Sequence, residues 1–182
     1  MTQAIANIIL IGYRAVGKTT IGALLAERLG RRFVDLDVEV EAEAGETIAA
    51  LVQRSGWPEF RRREKEVVRR SAALPGLVLA TGGGVVLDPE NIALLQASGR
   101  LIWLKASPTT IRARLRQEAA QVAARPGLTA LGTLAEIDEV LAAREPLYKA
   151  AADLTLDVDK ATPEELVQEI LHRIQVWEQT GT

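Results

Sequence analysis

Short apolar runs alternate along this chain with longer stretches in which apolar residues recur at the spacing of a helix. A short apolar run bounded by turn residues is typical of a buried strand, and the helical spacing is typical of a helix with one buried face. A parallel sheet covered by helices on both faces produces this alternation. The pattern predicts strands near Ile8–Ile11, Phe33–Asp35, Leu77–Ala80, Leu101–Leu104 and Leu154–Leu156.

Helices are predicted in the segments between these strands and after the last of them. Three helices have a clear start, because Asp88-Pro89, Ser107-Pro108 and Thr162-Pro163 each place a capping side chain before a proline at the first helical position. The predicted helices lie near Lys18–Leu29, Val38–Ala44, Ile48–Ser55, Trp57–Ala73, Pro89–Ser98, Pro108–Ala119, Leu134–Ala151 and Pro163–Gln179.

The segment from Gln117 to Thr133 has the weakest pattern, since glycine and proline interrupt the helical spacing there. A long loop inside a compact domain is often a mobile lid over a binding site. No repeat, low-complexity tract or linker divides the chain. We therefore expect one α/β domain over residues 1–182, with a mobile lid at about 117–133.

The composition fits an α/β enzyme and argues against several other classes of protein. A chain of 182 residues, 48% of them hydrophobic, can bury a sizeable core. The net charge of −2 argues against a nucleic-acid binder, and the lack of cysteine excludes disulfides and thiol chemistry. The N-terminus lacks the basic start of a signal peptide, and no apolar segment approaches the roughly 20 residues that span a membrane. We expect a cytoplasmic protein with neither nucleic acid nor membrane as partner.

The clearest motif lies between the first predicted strand and the first predicted helix. Residues 12–20 read G-Y-R-A-V-G-K-T-T, a complete G-x-x-x-x-G-K-[ST] phosphate-binding loop. Gly12 and Gly17 permit the tight turn, and the loop's N–H groups then converge on phosphate oxygens at the helix N-terminus. Lys18 supplies a cation to the terminal phosphates, and the Thr19 hydroxyl can bind the accompanying Mg²⁺. The motif predicts a site for a nucleoside triphosphate.

Two carboxylates follow the second predicted strand, in the sequence Phe33-Val34-Asp35-Leu36-Asp37. Side chains at the carboxyl end of a parallel strand face the crevice where α/β sheets bind ligands. Asp35 is then placed to hold Mg²⁺, directly or through water, and Asp37 to accept a substrate hydroxyl. A loop of solvated acids that cap the next helix is the alternative interpretation.

Arg61, Arg62 and Arg63 are consecutive in a predicted helix. Successive helical residues are about 100° apart, so at least one arginine is expected to face inward beside Phe60, where it binds an anion or pairs with Glu64. A solvated basic face is the usual alternative, and the three arginines alone favour it.

Three glycines, Gly82 to Gly84, follow the third predicted strand. They allow the backbone to pass tightly against a ligand, although a flexible turn is equally compatible with them. The spacing is not that of a dinucleotide-binding loop. Arg125 lies in the predicted lid and Arg144 late in a predicted helix, and each taken singly resembles a surface arginine.

Taken together and in this order, the motifs resemble those of the shikimate kinase family. The resemblance covers nearly the whole chain and rests on the combination G12-x4-G-K-T, D35-x-D37, F60-R61-x-x-E64, G82-G-G, R125-P and R144-x-P-L-Y148. It implies an α/β, three-layer P-loop nucleotide-kinase-like fold, with a five-stranded parallel sheet and a mobile lid. It also implies transfer of the γ-phosphoryl group of ATP to the 3-hydroxyl of shikimate, in a monomer whose substrate-binding segment lies at about 35–64.

The resemblance assigns a role to each matched residue. Asp37 would hold substrate hydroxyls and take the proton, Arg61 and Arg144 would clamp the carboxylate, and Glu64 would orient Arg61. Lys18 and Arg125 would stabilise charge on the transferring group, with Arg125 arriving when the lid closes. The segment 159–163 would complete the adenine pocket. The implied sets are Gly12, Ala15, Val16, Gly17, Lys18, Thr19, Thr20, Arg114 and Arg125 for ATP; Asp37, Arg61, Gly82, Gly83, Gly84 and Arg144 for shikimate; and Thr19 and Asp35 for Mg²⁺.

Two alternatives stay open at the level of the sequence. One is a kinase of the same fold that acts on another small hydroxy acid, such as gluconate. The other is an effector-binding sensor domain with a shikimate-kinase-like fold. A sensor is free to lose catalytic residues, and Lys18, Asp35 and Asp37 are all present.

Overall fold

One parallel sheet organises the molecule. The computed structural model describes residues 6–123 and 137–180, apart from the side chains of 119–123. Within these residues, five strands pair in the order β2-β3-β1-β4-β5, and every neighbouring pair is parallel. The strands are β1 (Asn7–Ile11), β2 (Phe33–Asp35), β3 (Val78–Ala80), β4 (Gly99–Lys105) and β5 (Leu154–Asp157). The predicted α/β architecture is confirmed.

Helices connect the strands and cover both faces of the sheet. They are α1 (Lys18–Leu29), α2 (Leu36–Ala44), α3 (Ile48–Ala72), α4 (Pro89–Ser98), α5 (Pro108–Ala123), α6 (Ile137–Ala151) and α7 (Pro163–Thr180). A single 3₁₀ turn, Val85–Leu87, precedes α4. None of the helices in the described part of the chain has the length and apolar composition required to cross a membrane.

The predicted helix starts carry the expected caps. The Asp88 side chain accepts a hydrogen bond from Glu90 N at 2.9 Å, with Pro89 in the first turn. Thr162 and Glu165 form a reciprocal capping box, with Thr162 N donating to the Glu165 carboxylate at 2.8 Å and Glu165 N donating to Thr162 Oγ1 at 3.3 Å. These local bonds satisfy N–H groups that a helix start leaves without partners.

The core lies in two layers, one on each side of the sheet. Alternate residues of β1 enter different layers, with Ile8 and Leu10 in one cluster and Ile9 and Ile11 in the other. Helices α1, α5 and α7 contribute to the first layer, and α3, α4 and α6 to the second. Because β1 is buried on both faces, its residues Ile8 to Ile11 are continuously apolar rather than alternating.

Several element boundaries differ from the prediction, and three of the differences concern segments next to the site. The two helices predicted on either side of Gly56 form one element, α3, with a sharp kink at Gly56, whose φ of 78° and ψ of 169° are not helical. Helix α2 begins at Leu36, so Asp37 lies in its first turn rather than before it. Helix α5 continues to Ala123 through the start of the predicted lid, because residues 119–123 are mainly good helix formers. The rest of the predicted lid, residues 124–133, lies outside the described residues.

Candidate active site

The three loops predicted to be functional follow the carboxyl ends of β1, β2 and β3, which are neighbours in the sheet. The phosphate-binding loop follows β1, the two acids follow β2, and the glycine triplet follows β3. A cavity of about 580 Å³ opens between the loop and the helices beside it. Its walls include the loop residues Arg14 to Thr20, the acids Asp35 and Asp37, and Arg114. The arrangement follows the rule that α/β sheets bind ligands at the carboxyl ends of their strands.

Close packing and unusual backbone angles shape the phosphate-binding loop. Gly12 has a φ of 143°, and a Cβ there would come within 2.5 Å of the carbonyl oxygen of Leu104. Gly17 has a φ of 101°, and Ala15 holds a positive φ of 61° without being glycine. Left-handed backbone at a residue with a side chain costs energy and is typical of functional loops. The Ala15 carbonyl accepts a hydrogen bond from Arg114 at 3.1 Å, which ties the loop to α5.

Lys18 lies beneath this loop with its ammonium group directed at backbone carbonyls. Its Nζ donates to Gly12 O at 2.8 Å and to Tyr13 O at 2.7 Å. Burial lowers the pKa of Lys18 to about 8, although the charges of Asp37 and Asp35 act to raise it. A desolvated ammonium beside an anion-binding loop interacts more strongly with phosphate than a hydrated surface lysine does.

Asp35 and Asp37 have different surroundings and therefore suit different tasks. Asp35 caps α2 by accepting a hydrogen bond from Asp37 N at 3.1 Å, and its other oxygen accepts the Thr19 hydroxyl at 2.7 Å. For Asp37, burial raises the pKa to about 6, Lys18 opposes the rise, and the charges of Asp35, Glu64 and Glu41 add to it.

The pair of Thr19 and Asp35 fits Mg²⁺, which prefers oxygen ligands and usually keeps only one or two from the protein. Both residues line the loop cavity. Within the described residues, no group of three or more His, Cys, Asp or Glu side chains is arranged to hold a metal. An ion at Thr19 and Asp35 would therefore rely on phosphate oxygens and water for its other ligands.

Of the three consecutive arginines, Arg61 is the one that lies beside Phe60 and pairs with the buried Glu64. Its Nη1 lies 2.5 Å from Glu64 Oε2, and its guanidinium lies over the rings of Phe60, at 4.9 Å, and Trp57, at 5.6 Å. Arg62 and Arg63 instead pair with Glu59. The interpretation as a solvated basic face is thus wrong for Arg61.

Glu64 is a buried partner for the Arg61 cation. Its side chain is only 2% exposed, and its Oε1 has no hydrogen-bond partner among the residues that the structure describes. Burial raises its pKa, and the hydrogen bond and charge of Arg61 act against that rise.

The glycine triplet leaves room for the side chains of the site itself. A Cβ on Gly82 would lie 2.7 Å from Asp37 Oδ1 and 2.9 Å from Glu64 Oε1, and a Cβ on Gly84 would overlap the guanidinium of Arg61. Gly83 packs against the phosphate-binding loop, where its Cβ would lie 3.2 Å from Arg14 N. None of the three has a positive φ. Glycine is therefore required at these positions because other groups of the site approach the backbone closely, and not because the backbone is flexible. The sequence alone left these two explanations open.

Arg144 reaches the same glycines from α6. Its Nη1 donates to Gly83 O at 3.1 Å, and the Tyr148 hydroxyl donates to the same oxygen. Burial raises the pKa of Tyr148 to about 12. Its ring stacks on Trp103, with centroids 5.7 Å apart and planes at 18°. Sequence reasoning assigned no role to Tyr148, although it ends the motif R144-x-P-L-Y148.

The predicted residues thus form two adjoining groups. The phosphate-binding loop with Arg114 lines the larger cavity, and so does the segment after β5, through Val158, Ala161 and Pro163. Asp37, Arg61 and Arg144 surround the glycine triplet next to it. Arg125 lies outside the described residues. Sequence reasoning assigned no role to Tyr13 or Tyr148. The available signal was an aromatic residue just after a buried strand, in the case of Tyr13, and one late in an amphipathic helix, in the case of Tyr148.

The fold and the chemistry at the carboxyl edge of its sheet are those of a P-loop kinase. Comparison with known proteins identifies the family. A family model described as shikimate kinase matches residues 14–175. A shikimate kinase of Symbiobacterium thermophilum is 44% identical over 169 residues, which are 93% of this chain and 96% of the relative. One from Syntrophus aciditrophicus is 40% identical over 177 residues, 93% of this chain and 91% of the relative.

Solved structures agree with the sequence comparison. The shikimate kinase from Acinetobacter baumannii in complex with shikimate superposes with a TM-score of 0.85 at 33% identity, covering 94% of each chain. The shikimate kinase from Aquifex aeolicus superposes with a TM-score of 0.77 at 28% identity, covering 93% of this chain and 96% of that one. The present chain belongs to the shikimate kinase family.

Proposed function

We propose that this chain transfers the γ-phosphoryl group of ATP to the 3-hydroxyl of shikimate, and that the residues around the glycine triplet bind the acceptor. The observation that carries the proposal is the position of two guanidinium groups against this backbone, Arg61 at Gly84 and Arg144 at Gly83. Two arginines directed at one small space match a carboxylate, which accepts paired N–H groups. Family membership supports the same acceptor.

Asp37 is proposed to hold the acceptor hydroxyl and to take its proton. Asp37 Oδ1 would lie 2.7 Å from a Cβ on Gly82, and the charge of Lys18 acts to lower the pKa of Asp37. With a pKa of about 6 it is mostly ionised at neutral pH, yet basic enough to accept a proton as the new bond forms. The hydroxyl oxygen attacks the γ-phosphorus, the bond from phosphorus to the β,γ-bridging oxygen breaks, and ADP leaves.

The remaining proposed roles concern charge and positioning. Lys18 stabilises negative charge on the transferring group, and the phosphate-binding loop fixes the phosphates in line with the acceptor. Mg²⁺, held by Thr19 and Asp35, would neutralise phosphate charge when bound. Arg114 and the segment after β5 border the nucleotide side of the cavity, where adenine is proposed to lie. Arg125 as a lid residue stays a sequence prediction.

The organisation of the chain around this site is part of the proposal. Residues 1–182 are taken as one domain, with residues 35–64 as the segment that recognises the acceptor. Monomeric state, cytoplasmic location and independence of nucleic acid and membranes stay predictions from the sequence. Lys18, Asp35 and Asp37 all line the cavity beside the phosphate-binding loop, which counts against the sensor, and the family match favours shikimate over another hydroxy acid.

Replacing Arg61 with lysine tests the assignment of the acceptor site. The substitution keeps the charge but loses the planar pair of donors, so the KM for shikimate is expected to rise about 10- to 100-fold while the KM for ATP stays nearly constant. Steady-state kinetics with each substrate varied in turn gives both constants. Arg62→Lys is the matched control, since Arg62 is on the same helix and pairs with Glu59. Equal increases in both constants for Arg61→Lys would show that Arg61 does not serve the acceptor.

A further inference from the structure

The side chain of Tyr13 points to a different part of the site from the loop residues that follow it. Residues Arg14 to Thr20 border the larger cavity, on the nucleotide side. Tyr13 is 6% exposed and borders a second cavity of about 310 Å³, together with Trp103 and Tyr148. The phosphate-binding loop therefore places one aromatic ring among the residues that surround Arg144.

The ring of Tyr13 lies in contact with the guanidinium of Arg144. The distance from Arg144 Cζ to the ring centroid is 5.9 Å, within the range of about 6 Å in which a cation interacts with an aromatic face. Among the described residues, no carboxylate lies within ion-pair distance of Arg144, whereas Arg61 has Glu64 at 2.5 Å. Arg61 and Arg144 thus differ in that only Arg61 has an ion-pair partner. Each of them lies against aromatic rings of its own, Trp57 and Phe60 for Arg61 and Tyr13 for Arg144.

A second contact fixes Arg144 from another direction. Its Nη1 donates to Gly83 O at 3.1 Å, and Tyr148 donates to the same oxygen. An arginine side chain loses much rotamer freedom when a ligand orders it, so contacts that order it beforehand favour binding. A ring against the guanidinium face also leaves the N–H groups at its edge available to a carboxylate.

Tyr13 reaches both halves of the site, because its backbone serves the nucleotide side. Its carbonyl accepts Lys18 Nζ at 2.7 Å, and its carbonyl carbon would lie 3.5 Å from a Cβ on Gly83. We propose that Tyr13 is a positioning residue whose ring holds the Arg144 guanidinium in the orientation that receives the acceptor carboxylate. This inference rests on the proposed function, since it assigns the carboxylate to Arg144.

Two substitutions separate the ring from the phenol hydroxyl. Tyr13→Phe retains the ring and is expected to keep the KM for shikimate within about twofold of the parent, whereas Tyr13→Leu is expected to raise it about fivefold. The kcat and the KM for ATP are expected to change by less than about twofold in both, because the backbone contact to Lys18 remains. Ile111→Val is the matched control. It removes apolar volume from the wall of the same cavity but lies on α5, a different helix from that of Arg144, so its KM for shikimate should stay unchanged.

Pentafluorophenylalanine at position 13 provides a second test of the ring contact, which can be used if Tyr13→Leu folds poorly. It retains the shape of phenylalanine but reverses the charge distribution of the ring, so the KM for shikimate should rise as with Tyr13→Leu. An unchanged KM in both Tyr13→Leu and this variant would overturn the proposal, and so would an equal rise in Tyr13→Phe.

A double-mutant cycle with Arg144→Met tests whether Tyr13 acts through Arg144. In the Arg144→Met background, Tyr13→Leu is expected to change the KM for shikimate by less than about twofold, because no guanidinium remains to be positioned. A further fivefold rise in that background would overturn the proposal. Turnover of shikimate by the parent chain is the reference. If the parent phosphorylates shikimate and the cycle shows no coupling, the inference about Tyr13 fails alone, whereas a parent without activity on shikimate would contradict the proposed function.

Discussion

Replacing Asp37 with asparagine is expected to lower kcat for shikimate phosphorylation by about 10³-fold. Asparagine has nearly the same shape and keeps one acceptor oxygen, but it cannot take a proton, and a positioned general base contributes about 10²- to 10⁴-fold to a rate. The KM for ATP should change little, since the phosphate-binding loop is intact. Coupled detection of ADP at saturating substrates measures the loss in kcat.

Folding should not suffer from Asp37→Asn. Burial disfavours the charged form of Asp37, as its raised pKa shows, so loss of the charge is not expected to lower the melting temperature. Glu39→Gln is the matched control, because it makes the same chemical change in the first turn of α2 and should keep kcat within about twofold. An Asp37→Asn enzyme that retains more than about a tenth of the parent kcat would exclude Asp37 as the base.

Replacing Gly84 with alanine is expected to raise the KM for shikimate more than about tenfold with little effect on the KM for ATP. The added Cβ would lie 2.7 Å from Arg61 Cζ, so the guanidinium must leave its place. Gly84 has a φ of −102°, which alanine adopts without strain, and the clash is with the end of a flexible side chain. The melting temperature should therefore fall only slightly. Loss of one charge-assisted contact accounts for a change of this size.

The Arg61→Ala background gives the control for this prediction. The guanidinium of Arg61 supplies the three atoms nearest to the added methyl group, so without it Gly84→Ala should cause no further rise in the KM for shikimate. If the rise instead persists in that background, the alanine acts on another part of the site. A large drop in melting temperature for the single variant would likewise point to the backbone rather than to Arg61.

Much of the nucleotide side could be predicted from the sequence because its determinants are local. The phosphate-binding loop is a contiguous motif between a buried strand and a helix, and Asp35 follows the next strand directly. Helix geometry also predicted that at least one of the three consecutive arginines faces inward beside Phe60, although the charge pattern alone favoured a solvated face. The structure bears this out for Arg61, whose neighbours Arg62 and Arg63 pair with Glu59 instead.

The acceptor side depends on contacts between residues far apart in the chain, and these are not visible in a sequence pattern. Arg144 meets a carbonyl 61 residues earlier, and the glycine triplet is required by side chains of α2 and α3. The contact of Tyr13 with Arg144 has the same origin. The ends of the helices and strands were the least predictable feature. Helix α5 continues to Ala123 although its periodic pattern is weak there, because the helix propensity of these residues is high.

The most direct test of the central claim is a coupled assay of ADP release by the full chain with ATP and Mg²⁺. Shikimate, quinate and gluconate are compared in parallel with a reaction that contains no acceptor, and the phosphorylated product is identified by mass spectrometry. We predict strong ADP release with shikimate alone and formation of shikimate 3-phosphate. Equal turnover with gluconate or quinate, or ATP binding without turnover of shikimate, would contradict the account.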